Sequence, residues 1–375
     1  MILYRYFLLF FPLFFSACSG TSTDHPEYLP MAEETLDHIY TYYGVENTPL
    51  LRENYPFDAS YSATYLASED TGSVKQFAYL WPFSGTFSAV NALLHASNDK
   101  KYLEILENRV LPALEKYYDD SRQPPGYASY LRESGWSDRF YDDNVWLGID
   151  FVDLYMYTKN TEYLEKSKEI WQFILSGTDE ELEGGIYWCE QKKRSKNTCS
   201  NAPGSVMAFK LFKATRDSTF FHQGLSLYNW TKKQLQDTGD HLYYDNISLT
   251  GRVDKRKYAY NSGQMLQSAV LLYSLTNDQE YLSEARQIAE SAILYFTDNF
   301  TTDDGRSFRM IKKGNVWFTA VMFRGFVELY TIDKERKYID IFARNLEYAW
   351  LKNRDVNHLF SDDWSGKSGK KNRWL

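Results

Sequence analysis

Residues 158–167 read TKNTEYLEKS, a short polar turn that opens into a run led by an aromatic. The stretch before it, NVWLGIDFVDLYMY at 144–157, has apolar residues at helical spacing. Thr and Asn at the turn can cap a second helix, and the apolar residues after them recur with a period near 3.6. The segment therefore predicts a helical hairpin. The same pattern returns as SNDKKYLEIL at 97, TRDSTFFHQG at 215, TNDQEYLSEA at 276 and TIDKERKYID at 331, at intervals of 61, 57, 61 and 55 residues.

Between Met31 and Lys352 about eleven helices are expected, with no alternation of strands and helices. One more short helix would complete six hairpins. Open superhelical arrays use shorter repeats of about 34 to 47 residues, so the expected fold is all-α: a single (α/α)6 toroid domain over residues 28–375. The connections between hairpins collect Gly, Pro, Trp and Asp, as in PPGYASYLRESGW at 124, EGGIYWCEQ at 183, YYDNISLTG at 243 and TDDGRSFRM at 302. Ordered loops of this length usually carry function, and here they are expected at one rim. TTDDGR at 301 lacks the twelve-residue ligand pattern of a calcium loop and reads as a turn.

Composition narrows the function. A formal net charge of -8 excludes a polyanion partner, because nucleic-acid binders need a basic footprint. Aromatic content of 17%, with 31 Tyr and 10 Trp, supplies flat faces with polar edges that suit sugars. The six histidines form no close pair at ligand spacing, so no metal site is expected. At the N-terminus, MILYRYFLLFFPLFFSAC has an early Arg and an apolar stretch too short to span a membrane. Its FSAC end resembles a bacterial lipobox, with Cys18 lipidated, residues 1–18 as the leader and 19–27 as a polar tether. The expected location is the outer membrane, on its periplasmic or cell-surface face. Export permits a disulfide between Cys189 and Cys199, which flank a basic loop; a bridge there is expected to add roughly 2 to 3 kcal/mol.

Asp142 and Asp143, in FYDDNVWLGID at 140–150, stand where a rim loop enters an apolar helix. Helix-dipole and capping preferences account for acids at such a place. Adjacent carboxyls can also converge on one bound group, and their mutual repulsion keeps one protonated while the other is ionised. That is the division of labour that glycoside hydrolysis requires of its two acids. Trp81, Trp188, Tyr260 and Trp317 fall in or beside loops, where each could stack on a pyranose. Asn201, Asn261 and Gln264 could pair with sugar hydroxyls or could cap turns. Arg324, inside the apolar run FTAVMFRGFVELY, calls for an ion-pair partner.

Five segments in order resemble glycoside hydrolase family 76, the α-1,6-mannanases: YLWPFSGTFSAVNAL at 79, YDDNVWLGID at 141, GGIYWCEQK at 184 with SNAPGS at 200, KYAYNSGQML at 257, and VWFTAVMFRGF at 316. The resemblance implies an (α/α)6 barrel and endo-acting, retaining hydrolysis of α-1,6-linked mannose backbones without a metal or organic cofactor; a monomer acting on α-mannan is expected. The resemblance further implies that Asp142 is the nucleophile and Asp143 the acid/base; Tyr141 and Asn144, flanking the pair, are expected to line the substrate site. Two rival readings share the fold: a non-catalytic glycan-binding lipoprotein, and another (α/α)6 enzyme such as an unsaturated uronyl hydrolase or a sugar epimerase. The intact Asp pair argues against the first. Uronyl substrates would call for a cationic pocket, and epimerases commonly depend on histidines.

Overall fold

The computed structural model describes residues 28–63, 66–67 and 75–367; Cys18, the leader and the tether lie outside these residues. Two concentric rings of helices build the molecule. The inner ring holds α2 (Leu80–Ser97), α5 (Tyr141–Thr158), α7 (Thr198–Thr215), α9 (Ala259–Thr276) and α11 (Val316–Asp333). The outer ring holds α1 (Tyr28–Tyr43), α3 (Lys100–Ile105) with α4 (Leu111–Leu114), α6 (Thr161–Leu175), α8 (Ser218–Leu235), α10 (Gln279–Phe296) and α12 (Lys337–Lys352). α3 and α4 run together through a π-helical turn, Leu106–Val110, just ahead of Pro112, which has no N–H to give to a regular ladder. The architecture is the expected all-α (α/α)6 toroid.

Four of the five inner-to-outer turns are chemically the same; the fifth, from α11 to α12, has Arg336 at the helix start with no side-chain cap. Ser97, Thr158, Thr215 and Thr276 end their helices by donating a hydroxyl to the carbonyl four residues back, at 2.7–2.8 Å. The next residue, Asn98, Lys159, Arg216 or Asn277, takes a left-handed conformation that stops the helix. Asp99, Asn160, Asp217 or Asp278 then caps the outer helix by accepting the backbone N–H two residues on, at 2.9–3.0 Å. The aromatic that follows staples neighbouring outer helices. Tyr102 donates to Glu33, Tyr163 to Glu107 at 3.0 Å, and Tyr338 to Glu290 at 2.9 Å. Phe220, lacking the hydroxyl, packs its ring against Trp171 instead. The ring closes where α1 meets the C-terminal segment, through Arg354 to Glu34 at 2.6 Å and Tyr28 to Glu347 at 2.7 Å.

The inner helices that are flanked on both sides are apolar nearly all round because neighbours cover their faces, whereas α11 leaves Val316 and Val327 exposed. α9, for example, is buried without a break from Ala259 to Leu272. Across the axis, Arg324 of α11 pairs with Asp150 of α5 at 3.5 Å, the ion-pair partner its position called for. The outer-to-inner connections form one rim and are more regular than expected. They contain short antiparallel ladders: β1 (Tyr118–Asp119) with β2 (Gly126–Tyr127), β3 (Ser195–Asn197) with β4 (Tyr244–Ser248) and β5 (Val253–Lys257), and β6 (Thr297–Thr301) with β7 (Ser307–Ile311). TTDDGR is the turn joining β6 to β7.

Candidate active site

The hairpin topology brings the N-termini of all five inner helices to this rim, so the positive ends of their dipoles face one cavity of about 420 Å³. Asp142 and Asp143 occupy the first turn of α5 and both line it. The preceding backbone is zipped to a neighbouring loop: Tyr141 N–H donates to Trp188 O at 2.9 Å, and Glu190 N–H donates to Arg139 O at 3.0 Å. That pairing sets the Trp188 indole over the acids, where its N–H donates to Asp142 Oδ2 at 3.1 Å. Asp142 Oδ1 is buried with no hydrogen-bond partner.

The two carboxyls differ in proton affinity. Burial pushes Asp142 up to about 6, held back from rising further by hydrogen bonding from the Cys199 thiol and the Trp188 indole. Asp143, only 8% exposed, is driven well above the carboxylate range by burial and then by the charge of Asp142. No such donor offsets the rise at Asp143. Near neutral pH the site therefore holds an anion on Asp142 and a proton on Asp143.

An aromatic wall encloses the pair. Trp81, Trp188, Tyr260 and Trp317 all line the cavity, as their loop positions suggested. Trp146, one turn into α5, meets the edge of Trp317 at 4.8 Å, Trp81 meets Trp317 at 5.7 Å, and Tyr260 lies flat on Phe318 at 4.0 Å. Such rings keep the acids away from bulk water while leaving faces for a sugar.

Other expected site residues stand elsewhere. Tyr141 is core: its ring stacks on Phe173 at 4.9 Å and is absent from the cavity lining. Asn144 and Asn201 are fully buried loop clamps rather than sugar contacts. Asn144 Oδ1 accepts from Tyr127 N–H at 2.7 Å, while its amide donates to Tyr127 O at 2.9 Å and Phe140 O at 2.8 Å. Asn201 does the same one hairpin later, accepting from Ile186 N–H at 2.7 Å and donating to Ile186 O at 2.9 Å and Asn197 O at 2.8 Å. Both are the fourth residue of their inner helix, and each takes up the N–H and C=O of one rim-loop residue. Asn261 is buried behind the wall beside Asp245. Gln264 is also buried and donates to Gln267 at 2.9 Å.

The expected disulfide is not formed; Cys189 and Cys199 are both free and buried. Their loop is closed by backbone instead, through Trp188 N–H to Ser195 O at 3.2 Å and a bridge between Tyr187 and Lys196. The thiols face different partners: Cys189 Sγ contacts Gln191 Oε1 at 3.8 Å, and Cys199 lines the cavity beside Asp142. Burial and the Asp142 charge push the Cys199 thiol well up, so it stays protonated and can donate.

One acid escaped the sequence reading. Asp245, on β4, lines the same cavity, is 8% exposed, accepts from Asn246 Nδ2 at 3.0 Å and lies 3.6 Å from the Arg256 guanidinium. Its signal is YYDN at 243–246, an echo of FYDDN at 140–144.

With this geometry in view, the comparisons with known proteins fall into place. The profile of glycosyl hydrolase family 76 matches residues 56–306. A family 76 glycoside hydrolase (mannosidase) of Bacteroides thetaiotaomicron VPI-5482 is 33% identical, with a TM-score of 0.82 over 92% of this chain and 93% of that one. A family 76 enzyme from a bovine B. thetaiotaomicron strain is also 33% identical, with a TM-score of 0.82, covering 92% and 74%. The GH76A α-1,6-mannanase of Salegentibacter sp. HEL1_6, at 21% identity and a TM-score of 0.71 over 90% and 92%, shares the fold. No curated protein sequence matches. The chain belongs to glycosyl hydrolase family 76.

Proposed function

We propose that the protein is a retaining endo-α-1,6-mannanase in which Asp142 is the nucleophile and Asp143 the acid/base. The supporting observation is the unequal pair itself. One buried carboxylate is pinned by an indole through Oδ2, with Oδ1 unpartnered, and the acid next to it holds its proton. Oδ1 of Asp142 attacks the anomeric carbon, and the bond to the departing O6 breaks as that oxygen takes the proton of Asp143. Asp143, now a base, removes a proton from water. The water oxygen bonds to the anomeric carbon, and the electron pair of the ester bond returns to Asp142.

The mannan assignment draws on relatives. An inactive variant of the Salegentibacter α-1,6-mannanase, with two consecutive aspartates replaced by asparagine, forms a complex with α-1,6-mannotriose. By the same proposal, Trp81, Trp188, Tyr260 and Trp317 stack mannose rings and hold the scissile bond in line. The chain is exported, lipidated on Cys18 and anchored to the outer membrane as a monomer; mass spectrometry of the mature N-terminus tests the lipid. Asp142→Asn and Asp143→Asn are expected to lower kcat on debranched α-1,6-mannan by at least about 10³-fold, with proton NMR of wild-type product showing the α-anomer first. Near-full activity in either variant removes that residue from its role.

A further inference from the structure

Outside the cavity lining, at the seam where the outer ring closes, we infer a binding site for a divalent transition metal, Zn2+ in particular, formed by Glu34, His38 and His358. One donor atom from each of the three lies within 4.8 Å of the others. Glu34 and His38 are one turn apart on α1 and so share a face. His358 is brought to them by the C-terminal segment, 324 residues beyond Glu34, and its Nδ1 lies 3.1 Å from Glu34 Oε1. The two imidazole rings stand 4.9 Å apart at an interplanar angle of 34°. His38 Nδ1 is buried with no hydrogen-bond partner, a nitrogen withdrawn from water and given nothing in exchange.

Two imidazoles and a carboxylate match the preferences of Zn2+, whose bonds of about 2.0–2.2 Å require donors about 3.3 Å apart. Glu34 and His358 already have that separation. His38 reaches it by a turn of its ring about the Cα–Cβ bond, and a water completes the tetrahedron. Arg354 is the competing cation, with Nη1 at 2.6 Å from Glu34 Oε1 and 3.4 Å from His358 Nδ1. Its guanidinium is held from behind on the Trp350 ring, 3.4 Å from the centroid, so it can orient the carboxylate as an outer hydrogen-bond donor while the other lone pairs take the metal. Bound there, the ion would tie α1 to the end of the chain and staple the one seam that no hairpin connection crosses.

The test uses EDTA-treated protein with ZnCl2 and CoCl2 as probes. Wild type is expected to bind one Zn2+ per chain by calorimetry at micromolar concentration, to gain a few degrees in Tm, and to show the visible absorption of tetrahedral Co2+. His38→Ala and His358→Ala should each lose the Tm gain and the Co2+ spectrum while retaining wild-type mannan hydrolysis. His358 is exposed, so its variant is expected to fold even if His38→Ala does not. No stoichiometric Zn2+ binding in wild type, or binding undiminished in His358→Ala, overturns the site and leaves Glu34 to its contacts with Arg354 and His358.

Discussion

At the scale of the residue, the site is governed by which groups touch Asp142. Removing the thiol in Cys199→Ala, or the indole N–H in Trp188→Phe, takes away a donor that favours the anion. The acidic limb of kcat/KM, expected near pH 6 from Asp142, should move up by about one unit in either variant, the effect of losing one charge-assisted hydrogen bond. An unmoved limb would mean that these contacts do not hold the charge. The same burial has a stability cost. Both acids have folded pKa values above their unfolded ones, so the folded state binds more protons and stability falls as pH rises from about 4 through 6 and beyond. Asp143→Asn, which cannot ionise, should therefore melt a few degrees higher than wild type at pH 7. That advantage should shrink towards pH 4, as read by calorimetry across the range. The acid pair and the stacking aromatics could be picked out by residue type and loop position. Asp245 could not, because only the β4–β5 hairpin swings it into the cavity.

At the scale of the element, the rim loops are held by side chains reaching from inner helices. Asn144 and Asn201 each satisfy a buried N–H and two carbonyls, and on α9 the equivalent fourth residue, Ser262, accepts from Tyr243 N–H at 3.1 Å. Asn201→Ala strands those backbone groups in a dry environment and should cost about 2–3 kcal/mol in urea unfolding. KM for mannan should stay near wild type at low temperature, whereas a sugar contact at this position would raise KM and leave stability alone. A buried Asn that clamps backbone and one that grips a hydroxyl look alike in sequence. Helical phase does not separate them, since Asp143 and Asn144 are adjacent and only the first faces the cavity. The loop's path decides.

At the scale of the whole molecule, the cavity's width is set by how closely the inner helices approach. A Cβ on Gly263 of α9 would lie 2.3 Å from Met322 Cα on α11, and one on Gly325 would lie 2.4 Å from Gly263 O. Gly263→Ala must push these backbones apart, and with them Tyr260 and Trp317 on the cavity wall. A loss of about 2–4 kcal/mol in stability, with a fall in kcat/KM that milder temperature does not rescue, is expected from overpacking of this kind. Wild-type stability in that variant would mean that the two helices can separate freely. The number of long helices, most turns between them and the all-α ring were set by local sequence, because helical period, hydroxyl-and-Asx turns and caps act within a few residues. Three outcomes depended on the closed ring. It put Cys199 against Asp142 rather than Cys189, made clamps of Asn144 and Asn201, and set His38 beside His358. Each is a contact between segments whose separation in sequence carries no information about distance, and only the packed fold supplies it.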